Sequence, residues 1–182
     1  MIARDFYADL AISDHSDIEK AIKEKSQTYF PEVLNITKAH KENDLLGADY
    51  FLEFLNCKME TLDIKVRKED WSLRGDDRTA CIELIANTTT NKKGWTIDAT
   101  KQTDWIMFYY IETGRSVMYN ARLLRAAVIR YLPDLRKHGK PTVQKTQSGS
   151  GHYLSESLIV SHRELAAAIY RNSNHSMAKH YE

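Results

Sequence analysis

Gly47-Ala48-Asp49-Tyr50-Phe51-Leu52-Glu53-Phe54-Leu55-Asn56-Cys57-Lys58-Met59-Glu60-Thr61-Leu62-Asp63-Ile64-Lys65-Val66-Arg67 is the stretch on which the fold turns. Gly47 suits a turn, and Tyr50 to Leu55 is rich in the aromatic residues that fit a pleated, half-buried surface. Asn56-Cys57-Lys58 is short enough for a hairpin connection. From Met59 to Arg67 the chain alternates, with Leu62, Ile64 and Val66 on one face and Thr61, Asp63, Lys65 and Arg67 on the other. Two paired strands are predicted, one face apolar and the other charged.

Outward from this pair, Ser16-Asp17-Ile18-Glu19 has the form of a capping box, in which the serine hydroxyl and the glutamate each satisfy the other's orphan amide. A helix is expected from about Asp17 to Tyr29, stopped by Pro31. Strands are expected at Ala80 to Ala86 and Trp105 to Ile111, separated by the turn-rich run Asn87 to Gly94. Asn120 can cap a helix from Ala121 to about Leu132, with Leu124, Ala127, Val128 and Tyr131 as its apolar face and Pro133 at its end. Residues 136–151, rich in Lys, Gly, Ser and Gln, are expected to be a mobile basic loop. Residues 152–171 should supply a C-terminal strand around Leu158-Ile159-Val160 and a helix opened by a second capping box, Ser161 to Glu164. Residues 172–182 lack an apolar period and are expected to fray. The sum is an α/β or α+β domain with a mixed central sheet of at least four strands flanked by helices.

The 182 residues are read as one domain with a core over residues 16–135. Hydrophobic residues make up 42% and charged residues 28%, and no run nears eighteen consecutive apolar positions, so neither disorder nor a membrane span is expected. Cys57 and Cys81 are too few and too far apart for a staple or a Cys-x-x-Cys zinc site, which fits a reducing compartment. The acidic Asp5 and Asp9 and the lack of an apolar stretch argue against a leader, and a cytoplasmic protein is expected. There is no Walker A motif, no Gly-x-Gly-x-x-Gly, no His-Glu-x-x-His and no Gly-x-Ser-x-Gly, and the seven histidines lack metal-ligand spacing.

Chemistry is concentrated in the opening stretch. Asp63 and Lys65 share a strand face, and Asp49 at the start of the neighbouring strand can lie beside them. Converging carboxylates repel unless a cation intervenes, and a hard oxygen set with open positions suits Mg²⁺ or Mn²⁺. A lone Asp-x-Lys is ordinarily a solvated face. Here it coincides with a Gly-x-Asp strand start, hairpin-length spacing, a preceding capped helix and an apolar alternate face.

This arrangement resembles the PD-(D/E)XK nuclease superfamily of restriction endonucleases and Holliday junction resolvases, over roughly Asp17 to Ile111. Asp49 matches the first acid, Asp63 the second and Lys65 the lysine, while Ala48 stands where a proline would precede the first acid. The resemblance implies a restriction-endonuclease-like fold and metal-dependent cleavage of DNA. It implies that Asp49, Asp63 and the backbone carbonyl of Ile64 hold the ion while Lys65 positions the attacking water. Glu24 is a further candidate ligand from the first helix, with Glu19 and Glu83 as rivals. Lys65-Val66-Arg67-Lys68, Cys81-Ile82-Glu83-Leu84, Gly94-Trp95 and Lys101-Gln102-Thr103-Asp104-Trp105 look like a phage or bacterial branch, in which case the compartment is the host cytoplasm. A homodimer is implied too, because cutting two strands needs two sites. The alternative is a non-catalytic DNA- or protein-binding module that keeps the nuclease fold, such as an accessory or anti-host factor.

The net charge of +1 hides a cancellation. Residues 1–50 are acidic, and residues 120–145 carry seven basic residues against Asp134 alone, a local +6. Arg122, Arg125, Arg130, Arg136, Lys137, Lys140 and Lys145 are therefore the candidate DNA-binding residues, acting through phosphates more than bases.

Overall fold

The computed structural model describes residues 4–5, 15–44, 46–148 and 151–178. It is a mixed α+β protein with two five-stranded sheets. The described residues form two compact units, each with its own sheet. One comprises residues 15–44, 46–70 and 99–121, and the other residues 4–5, 71–98, 122–148 and 151–178. Among the described residues no helix is long and apolar enough to cross a membrane.

The unit that carries the opening stretch begins with helix α1 (Ser16–Tyr29). Strands β2 (Val33–Lys38), β3 (Tyr50–Phe54) and β4 (Met59–Arg67) follow as an antiparallel meander, β1 being the two-residue strand Arg4–Asp5 of the other unit. Strand β7 (Trp105–Tyr110) then pairs in parallel with β4, and β8 (Arg115–Asn120) closes the sheet antiparallel to β7. A parallel partner cannot follow a hairpin turn, so the chain must make an excursion between β4 and β7. Residues 71–98 of the second unit are that excursion.

One face of this sheet packs under α1. Ile18, Ile22, Val33, Ile36, Tyr50, Leu52, Leu62, Met107 and Tyr109 form its core, with Phe30, Ile64, Val66 and Trp105 against them. Leu52 and Leu62 are wholly buried, and each such side chain contributes about 2–3 kcal/mol of transfer free energy. Trp105 meets Phe30 edge to face at 4.8 Å, so this tryptophan is a core residue. The predicted alternation in β4 is thereby realised, and the opposite face is left to Asp63 and Lys65.

The second unit orders its strands β1, β9, β10, β5, β6, where β5 is Arg78–Asn87, β6 Lys92–Lys93, β9 Lys140–Ser148 and β10 Gly151–Ser161. Its core draws on Ala80, Ile82 and Leu84 of β5, on Leu158 and Val160 of β10, and on the helices α2 (Ala121–His138) and α3 (His162–Ala178).

Three expectations are corrected here. The segment expected to be a mobile loop is a strand pair: β9 is bonded to β10 from Lys140 through Ser148, so the backbone of a polar sequence is held by pairing rather than by burial. Helix α2 runs past Pro133 to His138, with a kink at Tyr131 (φ −106°, ψ 15°) that accommodates the proline ring. Helix α3 continues to Ala178, so residues 172–178 of the expected frayed tail are helical, and residues 179–182 lie outside the described set. The two capping boxes also differ. At Ser161 both reciprocal bonds form, Glu164 N–H to Ser161 Oγ at 3.1 Å and Ser161 N–H to Glu164 Oε2 at 3.1 Å. At the first helix His15 is the cap, its Nδ1 accepting from Asp17 N–H at 3.4 Å, and Glu19 pairs with Lys23 at 2.8 Å instead.

Candidate active site

Asp49 sits where the β3–β4 ladder ends. The last ladder pair is Tyr50 with Leu62, and beyond it the Asp49 N–H donates to the Leu62 carbonyl at 2.9 Å. The Ile64 N–H donates to Asp49 Oδ2 at 2.6 Å. These two bonds, one to each neighbour of Asp63, set Asp49 astride the second acid. On its other side the Asp49 carbonyl accepts from Ala39 N–H at 2.8 Å, so the residue just after β2 holds it as well.

The turn that delivers Asp49 is fixed from a distance. Gly47 has φ +91°, and a Cβ there would lie 2.6 Å from the Thr103 hydroxyl oxygen, so both backbone angle and space require glycine. Buried Thr103 donates its hydroxyl to the Gly47 carbonyl, and the Gln102 N–H donates to the Leu46 carbonyl at 2.9 Å. The same segment grips β4: the Asp104 carboxylate accepts from the N–H of Thr61 at 3.0 Å and from its hydroxyl at 2.9 Å. Residues 102–104 therefore tie together the two strands that carry the acids. This clamp was missed in the sequence, where a threonine some fifty positions from Asp49 gives no local signal.

Asp63 is buried, 5% exposed, and Lys65 is partly buried, its Nζ donating to Asp63 Oδ1 at 2.7 Å. The sequence pattern Asp-x-Lys thus does not lie on an ordinary solvated face. The carboxyl of Asp49 is pushed up to about 7, chiefly by burial and then by the negative charge and hydrogen-bond contact of Asp63; Lys65 and the Ile64 N–H work the other way. Two carboxylates in contact under one ammonium retain a net negative charge, and near neutral pH the pair relieves it by holding a proton. A divalent cation would relieve it more fully.

The donor set fits such an ion. Asp49 and Asp63 offer hard oxygens, and because the N–H and C=O of a strand residue point to the same side, the Ile64 carbonyl is directed toward the Asp49 side of β4. Among the described residues no group of three or more His, Cys, Asp or Glu is gathered, so water would complete a shell that Mg²⁺ in any case keeps well hydrated.

Glu24 does not join the acids: it lies exposed on α1, lining a shallow surface groove with Ser16, Glu19, Lys20, Lys23 and Gln27. Glu83 belongs to the other unit, where its carboxylate accepts from Trp95 N–H at 3.3 Å and its backbone leaves no room for a side chain at position 94.

The seven basic candidates occupy helix and strand. Arg122, Arg130, Arg136 and Lys137 are exposed on α2, with Lys137 paired to Asp134 at 2.8 Å. Arg125 is partly buried with its Nε lacking a hydrogen-bond partner, and burial lowers its pKa from the usual guanidinium value. Lys140 is exposed and Lys145 half-buried on β9. Compared with models of known families, with curated proteins and with solved structures, the chain matches none.

Proposed function

We propose that the chain is a divalent-metal-dependent DNA endonuclease of the PD-(D/E)XK type, with Asp49, Asp63 and Lys65 as its catalytic residues. The single observation that carries this reading is the meeting of these three side chains in a partly buried, net-negative cluster at the end of the β3–β4 hairpin. A meander of three strands joined in parallel to a fourth supports it by giving the acids a rigid platform.

Asp49, Asp63 and the Ile64 carbonyl would hold Mg²⁺ or Mn²⁺, which when bound lowers the pKa of water and neutralises charge on a phosphoryl group. Asp63 keeps the Lys65 ammonium in place through their 2.7 Å contact. Lys65 in turn orients the attacking water by hydrogen bonding and offsets charge that develops on the phosphate. The clamp from Thr103 and Asp104 keeps the geometry fixed, and in-line displacement requires such positioning. The basic residues of α2 and β9 would hold the DNA backbone.

The test is cleavage of a supercoiled plasmid and of a four-way junction with Mg²⁺ or Mn²⁺. Wild type should cut, EDTA should stop it, and Asp63→Asn and Lys65→Ala should lose at least about a hundredfold in rate. Equal cutting by both variants would remove the site. DNA binding with no metal-dependent cutting by wild type would instead support the non-catalytic binding module.

A further inference from the structure

We propose that Arg130 and Arg171, brought together at the ring of Tyr131, form a clasp for the phosphate backbone of a DNA duplex. The two arginines come from different helices. Arg171 lies on α3, with its guanidinium carbon 4.6 Å from the Tyr131 ring centroid, and Arg130 lies on α2 at 5.8 Å from the same centroid. Tyr131 is the residue at which α2 kinks ahead of Pro133, so the backbone irregularity places the ring where both cations reach it.

Charge makes this cluster a binding surface. Asp134 is the carboxylate that answers it, accepting Lys137 at 2.8 Å and Arg171 at a longer 3.7 Å. Two cations, Lys137 and Arg171, thus share one carboxylate, while Arg130 meets Arg171 at the Tyr131 ring without one. Among the described residues no carboxylate pairs with Arg130, which is exposed, and the side chain of Arg171 is half exposed. Crowding like charges costs free energy that the ring's negative face offsets only in part. A polyanion would remove the remainder.

The chemistry of the two groups selects phosphate. A guanidinium presents a planar fork that binds phosphate oxygens two at a time, and stacking on a ring holds that fork so that less rotamer freedom is lost on binding. Arg136, Lys137 and Lys140 extend the positive charge along the chain beyond the kink, as a repeating array of phosphates requires. Arg130 belongs to the basic run visible in the sequence. Arg171 stands outside it, in a segment whose charges balance, and only the fold joins the two. The inference rests on the proposed function for the identity of the polyanion, and not on the carboxylate site.

Anisotropy titration of a fluorescein-labelled duplex with the full chain, in EDTA and over a range of salt, tests it. Each phosphate contact adds about 0.9 to the slope of log K against log salt, so its loss weakens binding about fivefold at roughly 0.15 M salt. Arg130→Gln and Arg171→Gln should each show that loss and a slope smaller by about one. Tyr131→Leu should weaken binding with the slope kept, and Tyr131→Phe should bind as wild type. Arg163→Gln, an exposed arginine at the start of α3 that faces Asp77 at 3.5 Å, should change nothing. Unchanged affinity and slope in both Arg130→Gln and Arg171→Gln overturns the clasp, as does tighter binding of polyglutamate than of duplex, which points to an acidic protein partner. Wild type that binds through the clasp yet never cuts with Mg²⁺ refutes the nuclease reading alone, and cutting with unaltered binding in the arginine variants refutes the clasp alone.

Discussion

Replacing Asp49 by asparagine should stabilise the metal-free protein at neutral and alkaline pH, although it removes a charged group held by hydrogen bonds. The Asp49 carboxyl titrates at about 7 in the folded chain against 3.8 in an unreactive setting, because burial and the neighbouring Asp63 disfavour its anion. At 1.36 kcal/mol per pH unit the difference sets a ceiling of ~4 kcal/mol on the cost of ionising it in place. The sign follows from linkage. A carboxyl whose folded pKa is raised contributes its stability fully below the unfolded value of 3.8, loses it as pH rises to about 7, and gives no further change above. Asparagine stays neutral throughout and keeps an oxygen to accept the Ile64 N–H. Urea unfolding in EDTA should find Asp49→Asn more stable than wild type by ~2–4 kcal/mol near pH 8 and equal to it within ~0.5 kcal/mol near pH 4. Mg²⁺ should then raise the midpoint of wild type and leave that of the variant in place. A stability difference that does not vary with pH, or a wild type that is the more stable near pH 8 without metal, would refute the account of this carboxylate pair.

Gly47→Ala should abolish cleavage and lower stability by ~2 kcal/mol or more, since alanine at φ +91° is strained and its Cβ would meet the Thr103 hydroxyl; Mg²⁺-dependent cutting and thermal melting check both. Thr103→Val should cost ~1–2 kcal/mol and slow cleavage, with Thr103→Ser restoring both, because the bond to the Gly47 carbonyl is what holds the turn. Arg115→Ala should destabilise by about 3 kcal/mol in chemical denaturation, because it removes the cation from the carboxylate of Asp70, which is 1% exposed and bound by Arg115 through two 2.8 Å contacts, with the Thr113 hydroxyl at 3.0 Å no substitute for that charge. Ser161→Ala should cost about 1 kcal/mol by removing one half of the capping box of α3.

What the sequence revealed and what it hid can be traced to particular residues. The β3–β4 hairpin was legible because Leu62, Ile64 and Val66 alternate without interruption and the register places them all on the α1 side. Strand β2 was not, since a register shift between Val33 and Asn35 puts its buried residues at Val33 and Ile36, three apart, and breaks the period of two. Strand β9 was hidden by composition: its lysines, glutamines and serine read as loop, yet pairing along its whole length decides its structure. Pro133 reads as a helix end because a proline ring clashes with the preceding turn, and the kink at Tyr131 shows how the helix absorbs that clash. Of the candidate site, the types and spacing of Asp49, Asp63 and Lys65 were enough to bring them together. The segment that fixes them, Gln102 to Asp104, acts across more than forty residues, and Glu24 lies exposed on helix α1.

The most direct measurement of the central claim is the anomalous scattering of Mn²⁺ soaked into crystals of the protein. The account predicts a peak within bonding distance of carboxylate oxygens of both Asp49 and Asp63 and of the Ile64 carbonyl, lost in Asp63→Asn. No peak there at saturating Mn²⁺, or the same peak in Asp63→Asn, would contradict it.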